Sequence, residues 1–225
     1  PPTLRRQRQM CIRDRCMIED VAFTLEARQR GQTIVIVAPR ILLAEQLCEE
    51  FLEVIDTTHT HVMHVHSGKT RYYGTTKPDK IHLFANTART AGENCIIFTT
   101  YHSLHRLVEA DIEVNNIYFD EAHNSVAKNF HIATKHFATL DHIRCYFFTA
   151  TPKHSLTPKK AGMNDFDVYG KVICQVPAPE LVDGGYILAP KVNVRQLPIS
   201  KDRNNWQRDA DYLFETIKED KKDQV

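Results

Sequence analysis

No two of the six cysteines form a C-x-x-C pair; Cys11, Cys16, Cys48, Cys95, Cys145 and Cys174 are scattered along 225 residues. That excludes metal or redox motifs of the C-x-x-C kind. Cys145 lies in an apolar run and Cys48 in a helical pattern, so most of the thiols read as small core residues of a reduced, intracellular protein. No apolar run approaches the ~18 residues needed to span a membrane. The arginine-rich opening is followed by no hydrophobic stretch of the kind a secretory signal needs, and a cytoplasmic location (intracellular, in the host cell if viral) is the expectation. Charge of one sign is lacking too. The formal net charge is +1, so no global basic field advertises a nucleic-acid partner, and any such binding has to come from a local cleft. What is present is ordinary for a folded protein: 42% hydrophobic residues suffice for a packed core, and 25% are charged. The length suits one large domain or one and a half small ones.

The most informative stretch is Ile117-Tyr118-Phe119-Asp120-Glu121-Ala122-His123. Three bulky residues that favour a buried strand run into two adjacent carboxylates. In a parallel α/β sheet, ligands bind just outside the carboxyl ends of the strands, so this pair sits where chemistry is done. One aspartate can hold a hydrated Mg²⁺ against nucleotide phosphates while a neighbouring glutamate polarises the attacking water, the arrangement of a Walker B site. Alone the signal is moderate, because an acidic residue after a strand is often the N-cap of the next helix. Its company strengthens it. Ala38-Pro39-Arg40 follows Ile34-Val35-Ile36-Val37, Thr99-Thr100-Tyr101 follows Cys95-Ile96-Ile97-Phe98, and Thr149-Ala150-Thr151-Pro152 follows Cys145-Tyr146-Phe147-Phe148.

These four spaced motifs, over about residues 17–190, resemble the first motor domain of superfamily 2 helicases and translocases of the DEAD/DEAH-box-like kind. The resemblance implies an α/β fold, a RecA-like three-layer sandwich with a mainly parallel central sheet, and ATP-driven movement along nucleic acid. It implies that Asp120 positions Mg²⁺ through water and that Glu121 is the general base. It also implies that His123 with Thr149, Ala150 and Thr151 couples ATP hydrolysis to strand binding. Pro39, Arg40, Thr100 and Ser103 would line the path of the nucleic-acid backbone, since a helix N-terminus with one arginine makes a sound phosphate site. The passage from Glu180 to Pro190 leans toward duplex DNA rather than RNA, as in restriction-type translocases and phage or repair helicases.

One expected part is missing. A phosphate loop needs glycines whose N–H groups approach the phosphates, then Lys and Ser or Thr, and no glycine precedes Gly31. Ser67-Gly68-Lys69-Thr70 is a decoy: the first glycine of such a loop would fall at Met63, and the segment follows the second strand rather than the first. The opening Pro1 to Cys16 has neither strand alternation nor a clean apolar helical face, and residues 1–16 read as a non-native or disordered segment. Residues 17–175 are then the ATP-binding domain, 176–200 a linker and 201–225 the start of a truncated second domain. Trp206, Ala210, Leu213, Phe214 and Ile217 share a helical face there. The isolated chain, lacking a phosphate loop and the second RecA-like domain, is expected not to turn over ATP, while its parent protein does.

Elsewhere the expectations are plainer. Helices are expected from Met17 to Arg28, from Ile41 to Phe51 and through Leu104, Leu107 and Val108. Val126 to Leu140 reads as helical or mixed. Arg71 to Gly92 reads as a loop with a short piece around Ile81 to Phe84, and Val172 to Val176 as one more strand. His59, His61, His64 and His66 invite a zinc site, but no cysteine or carboxylate stands nearby in sequence to complete a tetrahedron, so a plain strand is favoured. Two further functions compete with the motor: a nucleotide-independent module that grips nucleic acid or a partner, and a P-loop ATPase without nucleic acid, such as a transporter motor.

Overall fold

The computed structural model describes residues 12–27, 31–157, 160–186 and 188. The chain divides into two compact units, residues Pro1–Val172 and Ile173–Val225. The expected helical face over Trp206 to Ile217, and with it the start of a second domain at 201–225, lies outside the described residues, as do residues 1–11.

In the first unit the elements run α1 (Ile12–Ala27), β1 (Thr33–Ala38), α2 (Ile41–Leu52), β2 (Thr60–Val65), β3 (Tyr73–Gly74), α3 (Pro78–Thr90) and β4 (Asn94–Thr100). They continue with α4 (Leu104–Glu109), β5 (Asn116–Phe119), α5 (Lys128–Ala138), β6 (Arg144–Phe147) and α6 (Phe166–Tyr169). The six strands form one sheet in the order β3-β2-β4-β1-β5-β6, and every pairing is parallel. Parallel neighbours need crossovers, and the helices supply them.

Alternation along the strands builds two cores. Val35, Val37, Met63, Ile97, Ile117 and Phe119 pack on one face with α3, α4 and α5, through residues such as Ile81, Leu104 and Phe137. Ile34, Ile36, Ile96, Phe98 and Tyr118 pack on the other with Met17, Ile18 and Val21 of α1 and Leu47 and Phe51 of α2. Because both faces of the sheet are covered, the central strands are mainly apolar, with polar residues at their ends; β1 and β4 are buried at every position. Each fully buried Ile or Phe side chain contributes about 1.5–3 kcal/mol of transfer free energy. The result is the expected three-layer α/β sandwich.

Three expectations change. The first helix begins at Ile12, ahead of Met17, so residues 12–16 of the segment set apart in the sequence are helical. Arg71 to Gly92 is mostly helix rather than loop. Pro78 opens α3, Asp79 lies in its first turn, and Ile81, Ala85 and Ala88 recur at helical spacing on the buried face. Small alanines among polar residues hid that stripe. Val172 to Val176 forms no strand; Val172 and Ile173 are largely exposed. Apolar β-branched residues favour a strand only where a neighbour offers its edge.

Cys48, Cys95 and Cys145 sit in the packed layers, and burial pushes each thiol up to about 12, which makes them inert at neutral pH. Among the described residues no helix is long and apolar enough to cross a membrane. In the second unit, the described residues include one short helix, α7 (Ala178–Asp183).

Candidate functional site

In an all-parallel sheet every strand delivers its carboxyl end to the same edge, and the segments singled out in the sequence all lie along it. Register fixes their neighbours. Ala38 pairs with Thr100, Val37 with Phe119, and Phe119 with Phe147. Asp120, the next residue on β5, gives its N–H to Val37 O at 2.9 Å, and Phe148 gives its N–H to Phe119 O at 3.0 Å.

The edge divides into two parts. Beyond β5 and β6 stand the carboxylates and the threonine motif. Asp120 is buried at 6% exposure, and Glu121 adopts the left-handed conformation, φ 45° and ψ 51°. A left-handed non-glycine residue costs about 1–2 kcal/mol and survives where the surroundings hold it. Here Ala122 N–H binds Phe148 O at 2.8 Å, and a 3-10 turn over Ala122–Asn124 follows. This sharp reversal brings His123 back across the edge. Its Nδ1 lies 3.0 Å from Thr149 Oγ1, 3.3 Å from Thr151 Oγ1 and 3.3 Å from Glu121 Oε2. Thr149 Oγ1 also accepts the Thr151 N–H at 3.1 Å, which closes the threonine turn on itself. Ala150 is exposed between them.

Beyond β1, β4 and β2 lies an open cleft of about 560 Å³. Pro39, Arg40, Thr100 and Ser103, the four residues named for the backbone path, all line it. Arg40 is the N-cap of α2, and its side chain makes no cap bond to the N–H groups of the first turn. Thr99, by contrast, is spent on structure: its hydroxyl donates to Val65 O at 2.8 Å.

Sequence reasoning missed three polar residues of this cleft, His66, Ser67 and His102. His66 and Ser67 follow β2, which sits beside β4 in the sheet, so only the strand order reveals them. His66 is buried; its Nδ1 accepts the Gly68 N–H at 3.2 Å, and its Nε2 lies 3.0 Å from His64 Nδ1. Since Nδ1 of His66 is an acceptor, Nε2 carries the proton and donates to His64, and both rings are neutral. Burial holds both below the ordinary histidine range, His64 at about 4. The other two histidines of the run are elsewhere. His61 Nε2 bonds Glu93, and His59 Nδ1 lies 3.9 Å from the same carboxylate, at the amino end of β2.

Two tyrosines tie the edge to the rest of the unit. Tyr101 donates its hydroxyl to Asp120 O at 2.7 Å, and Tyr118 donates to Asp20 Oδ2 of α1 at 2.5 Å. Burial raises both hydroxyls well above the usual tyrosine range, so they are O–H donors.

The family model for the type III restriction enzyme res subunit matches residues 15–154, more than half of the chain. Two solved structures share the fold. One is a nuclease-deletion mutant of the type ISP restriction-modification enzyme LlaGI in complex with a DNA substrate mimic, 18% identical at a TM-score of 0.56 over 78% of this chain and 20% of that one. The other is the ATP-dependent type ISP restriction-modification enzyme LlaBIII bound to DNA, 19% identical at a TM-score of 0.61 over 76% of this chain and 14% of that one. A comparison with curated proteins finds no match. The chain thus spans a fifth or less of the solved chains it resembles. With its family model matched over most of the first unit, the chain belongs to the type III restriction enzyme res subunit family and carries the first RecA-like motor domain of superfamily 2 helicases and translocases.

Proposed function

We propose that this chain is part of an ATP-dependent translocase that moves along nucleic acid, DNA rather than RNA. The observation that carries the reading is the convergence on one imidazole nitrogen: His123 Nδ1 lies within 3.3 Å of Glu121, Thr149 and Thr151. Glu121 is the general base that takes a proton from the attacking water. Asp120 would hold Mg²⁺ through water. The donor set fits, because Mg²⁺ keeps most of its own waters and needs only one or two hard carboxylates from the protein beside the nucleotide phosphates. When bound, the ion supplies charge neutralisation at those phosphates. His123 senses the proton and charge state of Glu121 on one side and the threonine turn of residues 149–151 on the other. That turn is the moving part that passes the state to the bound strand.

Pro39, Arg40, Thr100 and Ser103 hold the phosphodiester backbone in the cleft, Arg40 by charge and the hydroxyls by hydrogen bonds, with no reading of bases. The preference for DNA is supported by the two related structures, both described with DNA. A second RecA-like domain in the parent chain completes the site and supplies the arginine finger. No glycine precedes Gly31, so residues 1–30 hold no phosphate loop of the G-x-x-x-x-G-K-[ST] kind. The same absence is what favours a second reading, a nucleotide-independent module that grips nucleic acid or a partner. An intracellular location goes with either.

The test is ATPase turnover of the full-length protein with and without single-stranded DNA, double-stranded DNA and RNA. Stimulation by one of them supports the motor and names its track. Binding of nucleic acid without turnover supports the module.

A further inference from the structure

The cleft and the carboxylate turn lie on different strands, and a motor needs them to feel each other. Thr100 lines the cleft, and Tyr101 follows it in the chain. Tyr101 N–H binds Ala38 O at 3.2 Å, which carries the chain across the end of β1. Its side chain is 2% exposed and passes under the edge to reach Asp120 O at 2.7 Å. The ring packs against Phe119 at 6.2 Å and Phe130 at 5.8 Å, so it has one rotamer to occupy.

Both ends of this strut are rigid. On the cleft side, Ser103 N–H binds Thr100 O at 2.9 Å and closes the turn that carries the Thr100 and Ser103 hydroxyls. On the carboxylate side, Asp120 is fixed by its N–H to Val37 O and by its carbonyl to Tyr101. The next residue is the left-handed Glu121, where a small rotation of the Asp120 peptide changes the aim of both carboxylates. A shift of the turn over residues 100–103 therefore reaches Asp120 through one side chain, that of Tyr101, and one hydrogen bond.

We propose that Tyr101 is a positioning residue that couples occupancy of the Pro39, Arg40, Thr100 and Ser103 cleft to the placement of Asp120 and Glu121. The proposal rests on the motor reading above. It adds a route on the cleft side that is separate from His123 and the threonine turn. Coupling of this kind is reciprocal: what DNA does to the carboxylate turn, nucleotide does to DNA affinity.

Tyr101→Phe in the full-length protein keeps the ring and deletes the hydroxyl. The expected result is a fall in DNA-stimulated kcat of roughly five- to tenfold, the weight of one buried hydrogen bond, with KM for ATP and DNA affinity without nucleotide within about twofold of wild type. The effect of a non-hydrolysable ATP analogue on DNA affinity should shrink in the variant as well. Unchanged stimulation in the variant overturns the coupling and leaves the motor intact. A wild-type protein with no nucleic-acid stimulation at all overturns both. A second measurement needs no variant: hydrogen exchange of the wild type with and without duplex DNA. Slower exchange of the Asp120 and Ala122 amides on DNA binding supports the strut, and protection confined to residues 39–42 and 100–103 overturns it.

Discussion

His123 Nδ1 stands 3.0 Å from Thr149 Oγ1, a contact between the turn after β5 and the turn after β6 that spans 26 residues of sequence. The same nitrogen is 3.3 Å from Glu121 Oε2. One imidazole edge therefore joins the expected base to the threonine motif. The arrangement depends on Glu121 being left-handed, since an extended residue there would carry His123 on along the strand direction.

If the hydroxyl of Thr149 matters for coupling and not for hydrolysis itself, Thr149→Val should separate the two. We expect stimulation by nucleic acid to drop by about five- to tenfold, one hydrogen bond's worth, with less than a twofold change in unstimulated turnover. Steady-state ATPase assays of the full-length protein with and without duplex DNA read both numbers.

Glu121→Gln keeps size and the capacity to accept a hydrogen bond from His123 but cannot take a proton. Turnover should slow by ~10²–10⁴-fold, with an unchanged thermal midpoint. Normal turnover in that variant would remove Glu121 as the base.

Among the described residues, Arg40 is the one guanidinium in the cleft lining. If it meets a phosphate, Arg40→Ala should weaken binding of all DNA sequences alike and lower the slope of log K against log salt by about 1. Titrations at several salt concentrations give the slope directly, and an unchanged slope would move the backbone path away from Arg40.

His64 makes stability depend on pH. Its folded value is about 4 because burial opposes the charged ring, and the unfolded value is the ordinary 6.5. Between these two values the unfolded chain binds the extra proton, so stability is full above pH 6.5 and is lost as pH falls toward 4. The slope is up to about 1.4 kcal/mol per pH unit for one proton. His66 shifts in the same direction and adds to it. Urea unfolding at pH 7.5, 6 and 5 should show this decline in the wild type and a shallower one in His64→Gln.

The strands were legible because burial on both faces favours apolar residues, and each of the runs ending at Val37, Phe98, Phe119 and Phe148 is continuous and mainly apolar. Asp120 and Glu121 stood out because adjacent carboxylates are costly at the end of such a run unless something uses them. Less was legible where the signal was shared. The buried stripe of α3 is one isoleucine and two alanines amid polar residues, and the run from Val172 to Val176 has the composition of a strand but no partner strand among the described residues. His66 looked like the tail of a histidine-rich strand, Ser67 like the start of a decoy phosphate loop, and Tyr101 like the third residue of a motif.

By itself, then, the order of residues determined which segments are strands, which end in reactive groups and which family the chain resembles, because these follow from local composition and spacing. Tertiary structure alone decided the strand order β3-β2-β4-β1-β5-β6, and with it which loops share an edge. That order puts His66 beside Thr100 and Tyr101 within reach of Asp120. The reason is physical: parallel neighbours are chosen by how crossover helices pack on the two faces of the sheet, a contest among distant side chains that no local window contains.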